Sequence, residues 1–254
     1  MPLVAPVRRR RRWLEHLLAP TMAVAVLASC GAGAGQTTTA QDRRRVEPQA
    51  VFGVRTRRRL VALTFDDGPD PRWTPAVLQL LAARGARATF FLVGRNALAH
   101  RDLVQAEVAA GDEIGNHTLT HAHLELISAG GVEDEVEDGA RALVAAGAPP
   151  PRLFRPPRGF TTRVVARVVR RARERTVFWG LTVERFIRAH ALGPAVDRLV
   201  AKVRPGTIVL AHDGGGNRVR TLQALPRLLS ALKERGYGFV TVSELLAAGR
   251  AGPP

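Results

Sequence analysis

An apolar fraction of 46% over 254 residues is enough for one large core and excludes global disorder. The formal charge of +16 is uneven: residues 1–60 hold 12 arginines against Glu15, Asp42 and Glu47, so the remainder carries only +7. Aromatics are 5% and do not interleave with the basic residues, which argues against a nucleic-acid binder, and the single cysteine, Cys30, excludes an intrachain disulfide or a Cys-based zinc knuckle.

The chain opens with a run of arginines at 8–12, followed by an apolar stretch of about 13 residues and small residues before a break, the layout of an export signal. The stretch is shorter than the roughly 20 residues that a spanning helix needs. Its end, Leu27-Ala28-Ser29-Cys30, resembles the lipobox of bacterial lipoproteins. That resemblance implies a signal peptide over 1–29, cleavage before Cys30 and diacylglycerol on its sulfur. The mature protein is then expected outside the cytoplasm, lipid-anchored to the cell membrane, or secreted if Cys30 is not lipidated. RRRWL (10–14) loosely resembles a twin-arginine signal. Residues 30–59, rich in Gly, Ala, Thr and Arg without an apolar period, read as a flexible basic tether, and the folded domain is expected over 60–249.

From Leu60 the pattern alternates. LVALTF (60–65) reads as a buried strand, and 74–85 as a helix with Thr74 as N-cap, Pro75 in its first turn and Gly85 as its stop. ATFFLVG (88–94) is a second strand, followed by a helix through Leu98, Leu103, Val104 and Val108. EIGNH (113–117), LFRPP (153–157), TVFWGLTV (176–183), TIVLAH (207–212) and FVTVSEL (239–245) supply the other strands, with helices over 128–146, 161–172, 192–203 and 218–235 between them. About seven β-α units in a row imply parallel strands with helices outside. There is no GxGxxG after the first strand and no P-loop, so nucleotide binding lacks its usual mark.

The chemistry collects at one edge. Asp66 and Asp67 follow the first strand, His117 and His121 the third, Arg155 lies in the fourth, and His212 and Asp213 end the sixth. The carboxyl ends of parallel strands are where such folds place their sites. The spacing His117-x-x-x-His121 would put two imidazoles on one face of a helical turn, and two histidines with a carboxylate make a metal site with open positions. Paired aspartates permit divided labour: one carboxylate ligates while its neighbour takes a proton from water, with Arg155 as the cation that keeps it ionised and His212 as the acid for a leaving amine. His16, His100, His123 and His190 need no function on this reading.

TFDDGP (64–69), HTLTH (117–121), FRPPRG (154–159) and IVLAHD (208–213) resemble, in order, the motifs of the polysaccharide deacetylases, carbohydrate esterase family 4 or the NodB homology domain. The resemblance covers about residues 60–245. It implies a distorted (β/α)7 barrel and metal-dependent removal of N- or O-acetyl groups from a sugar polymer, usually with zinc, though cobalt or another divalent metal is possible. By motif, Asp66 is the general base, Asp67, His117 and His121 the metal ligands, Arg155 the residue that orients Asp66, and His212 the general acid. The backbone N–H of Arg158, where the family often has Tyr, would help hold the oxyanion. One motif departs: where the family carries D-x-x-D-W, this chain reads Thr182-Val183-Glu184-Arg185-Phe186. Either Glu184 from a shifted position or Asp213 would then have to tune His212, and the acetyl-pocket wall falls to Trp73, Leu210 and Phe186.

The resulting expectation is a hydrolase acting on an acetylated cell-wall or extracellular glycan, peptidoglycan amino sugars first, with chitooligosaccharide and acetylxylan as alternatives. Its partners are the glycan and the membrane, with no nucleic acid and no protein partner inferred. A competing expectation is a catalytically weak, wall-glycan-binding relative, motivated by the altered motif. A two-His-one-carboxylate iron oxygenase ranks far below both, because it leaves the second aspartate and His212 unexplained.

Overall fold

The computed structural model describes residues 43, 45, 47, 49–188 and 191–251. The export signal and Cys30 lie outside the described residues. Seven parallel strands form one curled sheet in the order β6-β5-β4-β3-β2-β8-β7, with β9 beside the start of β2. They are β2 (Leu60–Asp66), β3 (Thr89–Leu92), β4 (Glu113–Asn116), β5 (Leu153–Phe154), β6 (Arg175–Thr176), β7 (Leu181–Thr182) and β8 (Ile208–His212), with β9 at Gly238–Phe239. The intervening helices are α1 (Thr74–Ala82), α2 (Gly94–Ala99), α3 (Arg101–Ala109), α4 (Ala129–Ala145), α5 (Arg163–Arg171), α6 (Val183–Ile187), α7 (Leu192–Lys202) and α8 (Val219–Glu234). This is the expected barrel of β-α units, distorted because β6 and β7, the two edges of the sheet, are only two residues long each.

Strand β2 shows how sequence sets the two faces. Val61, Leu63 and Phe65 pack with Phe90, Leu92, Val209, Ala211 and the helices outside. Ala62, on the opposite face, packs inside with Phe91, Ile208 and Val177. Both faces are buried, so the strand reads as a continuous apolar run until its inner face turns polar at Thr64 and Asp66.

Several expectations are corrected. The tether does not extend to residue 59: Ala50, Val51, Phe52 and Val54 are buried. Val51 bridges to Val177 and Gly53 to Thr207, so this segment lies across the open edge of the sheet, and β1 (Val54–Arg55) pairs antiparallel with β10 (Arg250–Ala251). Flanking arginines hid these apolar residues in the sequence. The strand expected over 176–183 is two short strands, because residues 177–180 leave β6 and pair instead with the N-terminal segment and Ile208. Of the seventh strand expected over 239–245 only Phe239 is in a strand, at the end of β9. Thr241 caps α9 (Val242–Ala247) in a reciprocal capping box with Glu244, a local preference that outweighs the β-branched composition. The helix after β3 is broken in two at His100. Thr74 does not cap α1: its hydroxyl lies 2.5 Å from Asp213 Oδ2 and accepts from the Asp70 N–H.

Helix α4 packs tightly on the loop after β4. A Cβ on Gly139 would sit 2.6 Å from Asn116 Oδ1 and 2.8 Å from the Thr118 carbonyl carbon. Gly139→Ala is therefore expected to destabilise the domain by about 1–3 kcal/mol despite its better helix propensity, read as a lower urea midpoint.

Candidate metal centre and acid–base groups

Asp66 ends β2 on its inner face, 3% exposed, and pairs in register with His212 of β8. Asp67 follows with φ of 74°, and Thr118, His121 and Arg158 also have positive φ. Among the described residues, four of the five non-glycine residues with positive φ thus lie in the loops that carry the expected site, where backbone strain is held by surrounding structure. The histidine pair is not on a helical turn as expected. Residues 117–121 form a loop, and its left-handed positions at Thr118 and His121 bring the rings to a centroid separation of 5.1 Å. The loop is fixed by the His121 N–H on Thr118 Oγ1 (3.0 Å), by the Gly94 N–H on the Thr118 carbonyl (2.9 Å), and by Glu135, which accepts from both the N–H and the hydroxyl of Thr120.

The ligand atoms of Asp67, His117 and His121 lie within 4.8 Å of one another. His117 Nδ1 is 2.7 Å from the Arg155 carbonyl. A carbonyl only accepts, so this nitrogen carries a proton, and Nε2, which faces Asp67 Oδ1 at 3.5 Å, is the nitrogen placed to ligate. His121 Nε2 is 3.2 Å from the same oxygen. Burial and the neighbouring His117 push His121 down to about 4, so it is a neutral donor at neutral pH. Burial pulls Asp67 upward, but its hydrogen bond to His117 and the charges of the histidines bring it down to about 2. Two imidazole nitrogens and one ionised carboxylate, with no thiolate, fit a divalent ion such as Zn²⁺. Asp67 is further gripped by Arg218 (Nη2 to Oδ2, 3.4 Å) and by Asn96 on its carbonyl (3.0 Å). Cβ atoms on Gly214 and Gly215 would meet Asp67 atoms at 2.2 and 2.4 Å, which explains the glycine run after β8. Neither Arg218 nor Asn96 carries a sequence signal; only the glycine run hints at a close backbone approach.

Arg155, fully buried, donates to Asp66 Oδ1 (2.6 Å), Thr64 Oγ1 (2.9 Å) and the carbonyls of Val177 and Phe178, with its guanidinium 4.0 Å over the Phe91 ring. It fixes Asp66 with Oδ2 on the side of His117 Nε2, 3.9 Å away. On the other side of the site, His212 Nδ1 faces Glu184 Oε2 at 3.3 Å, an ion pair not aligned for a hydrogen bond. Glu184 is held in place by the His212 N–H and the Thr221 hydroxyl, each 3.0 Å from Oε1. Burial alone would lower His212; Glu184, with the charges of Asp66 and Asp67, more than offsets it and leaves His212 raised above the ordinary imidazole range. Of the two replacements weighed for the missing aspartates, Glu184 is the one beside His212. Asp213 instead turns to Thr74, and burial pushes it up to about 7.

The remaining expected residues divide. Arg158 sits in the Pro157–Gly159 turn beside the histidine loop, its Nη1 3.4 Å from the His121 carbonyl. Leu210 is on the inner face of β8, two residues below His212 and paired with Thr64. Trp73 is half-buried at the start of α1 under Arg72. Phe186, half-buried on α6, packs against the core layer between sheet and helices that holds Leu63 and Phe65.

The fold and these groups define a parallel barrel that carries a candidate three-ligand metal centre flanked by a carboxylate and a histidine at its carboxyl end. A model of the family described as "Polysaccharide deacetylase" matches residues 53–177. The chain is 38% identical over 207 residues to a peptidoglycan-N-acetylglucosamine deacetylase of Bacillus cereus, covering 80% of this chain and 97% of that one. It is 37% identical to a chitooligosaccharide deacetylase of Bradyrhizobium, covering 74% and 90%. Among solved structures, a pseudoenzyme of carbohydrate esterase family 4 from Bacillus anthracis superposes with a TM-score of 0.72 at 27% identity, over 82% of this chain and 71% of that one. This chain belongs to the polysaccharide deacetylase family.

Proposed function

We propose that this protein is a metal-dependent hydrolase that removes acetyl groups from an extracytoplasmic glycan, N-acetylated amino sugars of peptidoglycan first. The observation that carries the reading is the pairing of Asp66 and Asp67: one is held by Arg155 away from the ligand set, the other stands within it. Asp67, His117 and His121 would hold the ion. When bound, a divalent metal polarises the acetyl carbonyl and acidifies water. Asp66 takes a proton from the attacking water, whose oxygen bonds to the acetyl carbon. His212 gives a proton to the amine as the C–N bond breaks, releasing acetate and a free amino sugar. The backbone N–H of Arg158, in the turn beside the histidine loop, is the candidate donor to the developing oxyanion. Leu210 and Trp73 are the candidates for the acetyl-group wall.

The relatives support both peptidoglycan and chitooligosaccharide as substrates, so the test offers both, with acetylxylan as the ester control. Acetate released fastest from peptidoglycan supports the reading. Acetate from chitooligosaccharide alone moves the substrate, and none from any of the three leaves a glycan-binding relative. His117→Ala is expected to lose at least one equivalent of bound metal by elemental analysis; unchanged metal content would remove the ligand set. The lipid anchor at Cys30 belongs to the same proposal: Cys30→Ser is expected to move the protein from the membrane to the soluble fraction, and unchanged fractionation would count against it.

A further inference from the structure

Glu174 lies between α5 and β6, 8% exposed, with nothing to do in the chemistry above. Arg170 and Arg175 border the same small cavity, yet among the described residues no ion pair joins them to Glu174. Both its oxygens instead lie 3.2 Å from Asn116 Nδ2, the last residue of β4. The same Nδ2 donates to the Val136 carbonyl of α4 (2.9 Å), and Asn116 Oδ1 accepts the Thr118 N–H (2.9 Å). Thr118 is the left-handed residue between the two histidines, and its hydroxyl accepts the His121 N–H at 3.0 Å. A single line of hydrogen bonds therefore runs from Glu174 through Asn116 and Thr118 to the backbone of His121. Asn116 has two amide hydrogens; Val136 takes one and Glu174 the other, so all its donors are satisfied only while Glu174 is present.

We propose that Glu174 is a positioning residue for the metal centre, holding Asn116 so that the strained 117–121 loop presents His117 and His121 together. The inference rests on the ligand set proposed above. An isolated carboxyl is an expensive group to bury. Burial pushes this one up to about 8, against the Asn116 hydrogen bond, which pulls the other way. An apolar replacement of similar size removes that cost but leaves one buried Asn116 N–H without an acceptor, two opposed effects on the fold, so metal affinity is read beside stability.

The test is Zn²⁺ affinity of the full chain, measured by competition with a chromophoric chelator, alongside urea unfolding of the metal-free protein. Glu174→Leu is expected to stay folded with a urea midpoint close to that of wild type, yet to bind Zn²⁺ at least about tenfold more weakly, the size usual for groups behind a metal ligand. Glu174→Gln keeps an acceptor for Asn116 and is expected to stay within about twofold of wild type, in line with that same hydrogen-bond logic. Zn²⁺ binding by the Leu variant at wild-type affinity overturns the inference and leaves the ligand set standing. Absence of Zn²⁺ binding by the wild type overturns the ligand set itself, and the inference with it.

Discussion

Asp66→Asn is expected to lower turnover by about 10²–10⁴-fold, the range for a positioned proton acceptor, while metal content stays at the wild-type level. The asymmetry follows from position. Asp66 Oδ2 is 3.9 Å from His117 Nε2 and stands outside the ligand triple, whereas Oδ1 is committed to Arg155 at 2.6 Å. Asparagine keeps an oxygen for Arg155, so the fold should tolerate the change. Asp66→Ala leaves a fully buried guanidinium without its carboxylate and should cost about 3–5 kcal/mol. Asp67→Asn should do the reverse of Asp66→Asn: metal is lost first, and activity with it. Turnover and metal content measured together on the two variants distinguish the roles. Equal activity in Asp66→Asn would remove its role as base.

Glu184→Gln is expected to change the pH profile more than the fold. Glutamine keeps an oxygen for the His212 N–H and the Thr221 hydroxyl but carries no charge toward the imidazole. With the charge gone, burial dominates and the His212 pKa falls from its raised position. The acid form needed to protonate the leaving amine then disappears at lower pH, so the alkaline limb of kcat shifts toward acid. On the alkaline side of the profile the variant is expected to fall below wild type, by part of the roughly 10²–10⁴-fold that a positioned acid provides. At the acid end, where His212 is protonated in both proteins, the two profiles should converge. An unshifted alkaline limb would mean that another group supplies the proton.

Most of the site was legible because parallel topology ties chain order to location. With 60–65 and 207–212 read as parallel strands, Asp66 and His212 at their carboxyl ends have to meet at one edge, and the register Asp66 to His212 agrees with that. What sequence concealed was geometry made by loops. The spacing of His117 and His121 suggests a helical turn, but the loop reaches the same proximity through positive φ at Thr118 and His121, which periodicity does not encode. Glu184 reaches His212 from the first turn of α6, a shift that a motif aligned residue by residue leaves open. Phe186 lost its expected place for the same reason, since on α6 it packs against the core layer between sheet and helices. The segment around Val51 is hidden by neighbouring arginines, and the strand-like composition of Phe239, Val240 and Val242 conceals the Thr241–Glu244 capping box.

Acetate release from N-acetylated peptidoglycan by the full chain, stripped of metal by chelation and then reloaded with Zn²⁺, tests the central claim most directly. The account predicts no acetate from the stripped protein and recovery on reloading, in proportion to metal bound. Acetate release that persists without metal, or its absence from fully loaded protein, would contradict it.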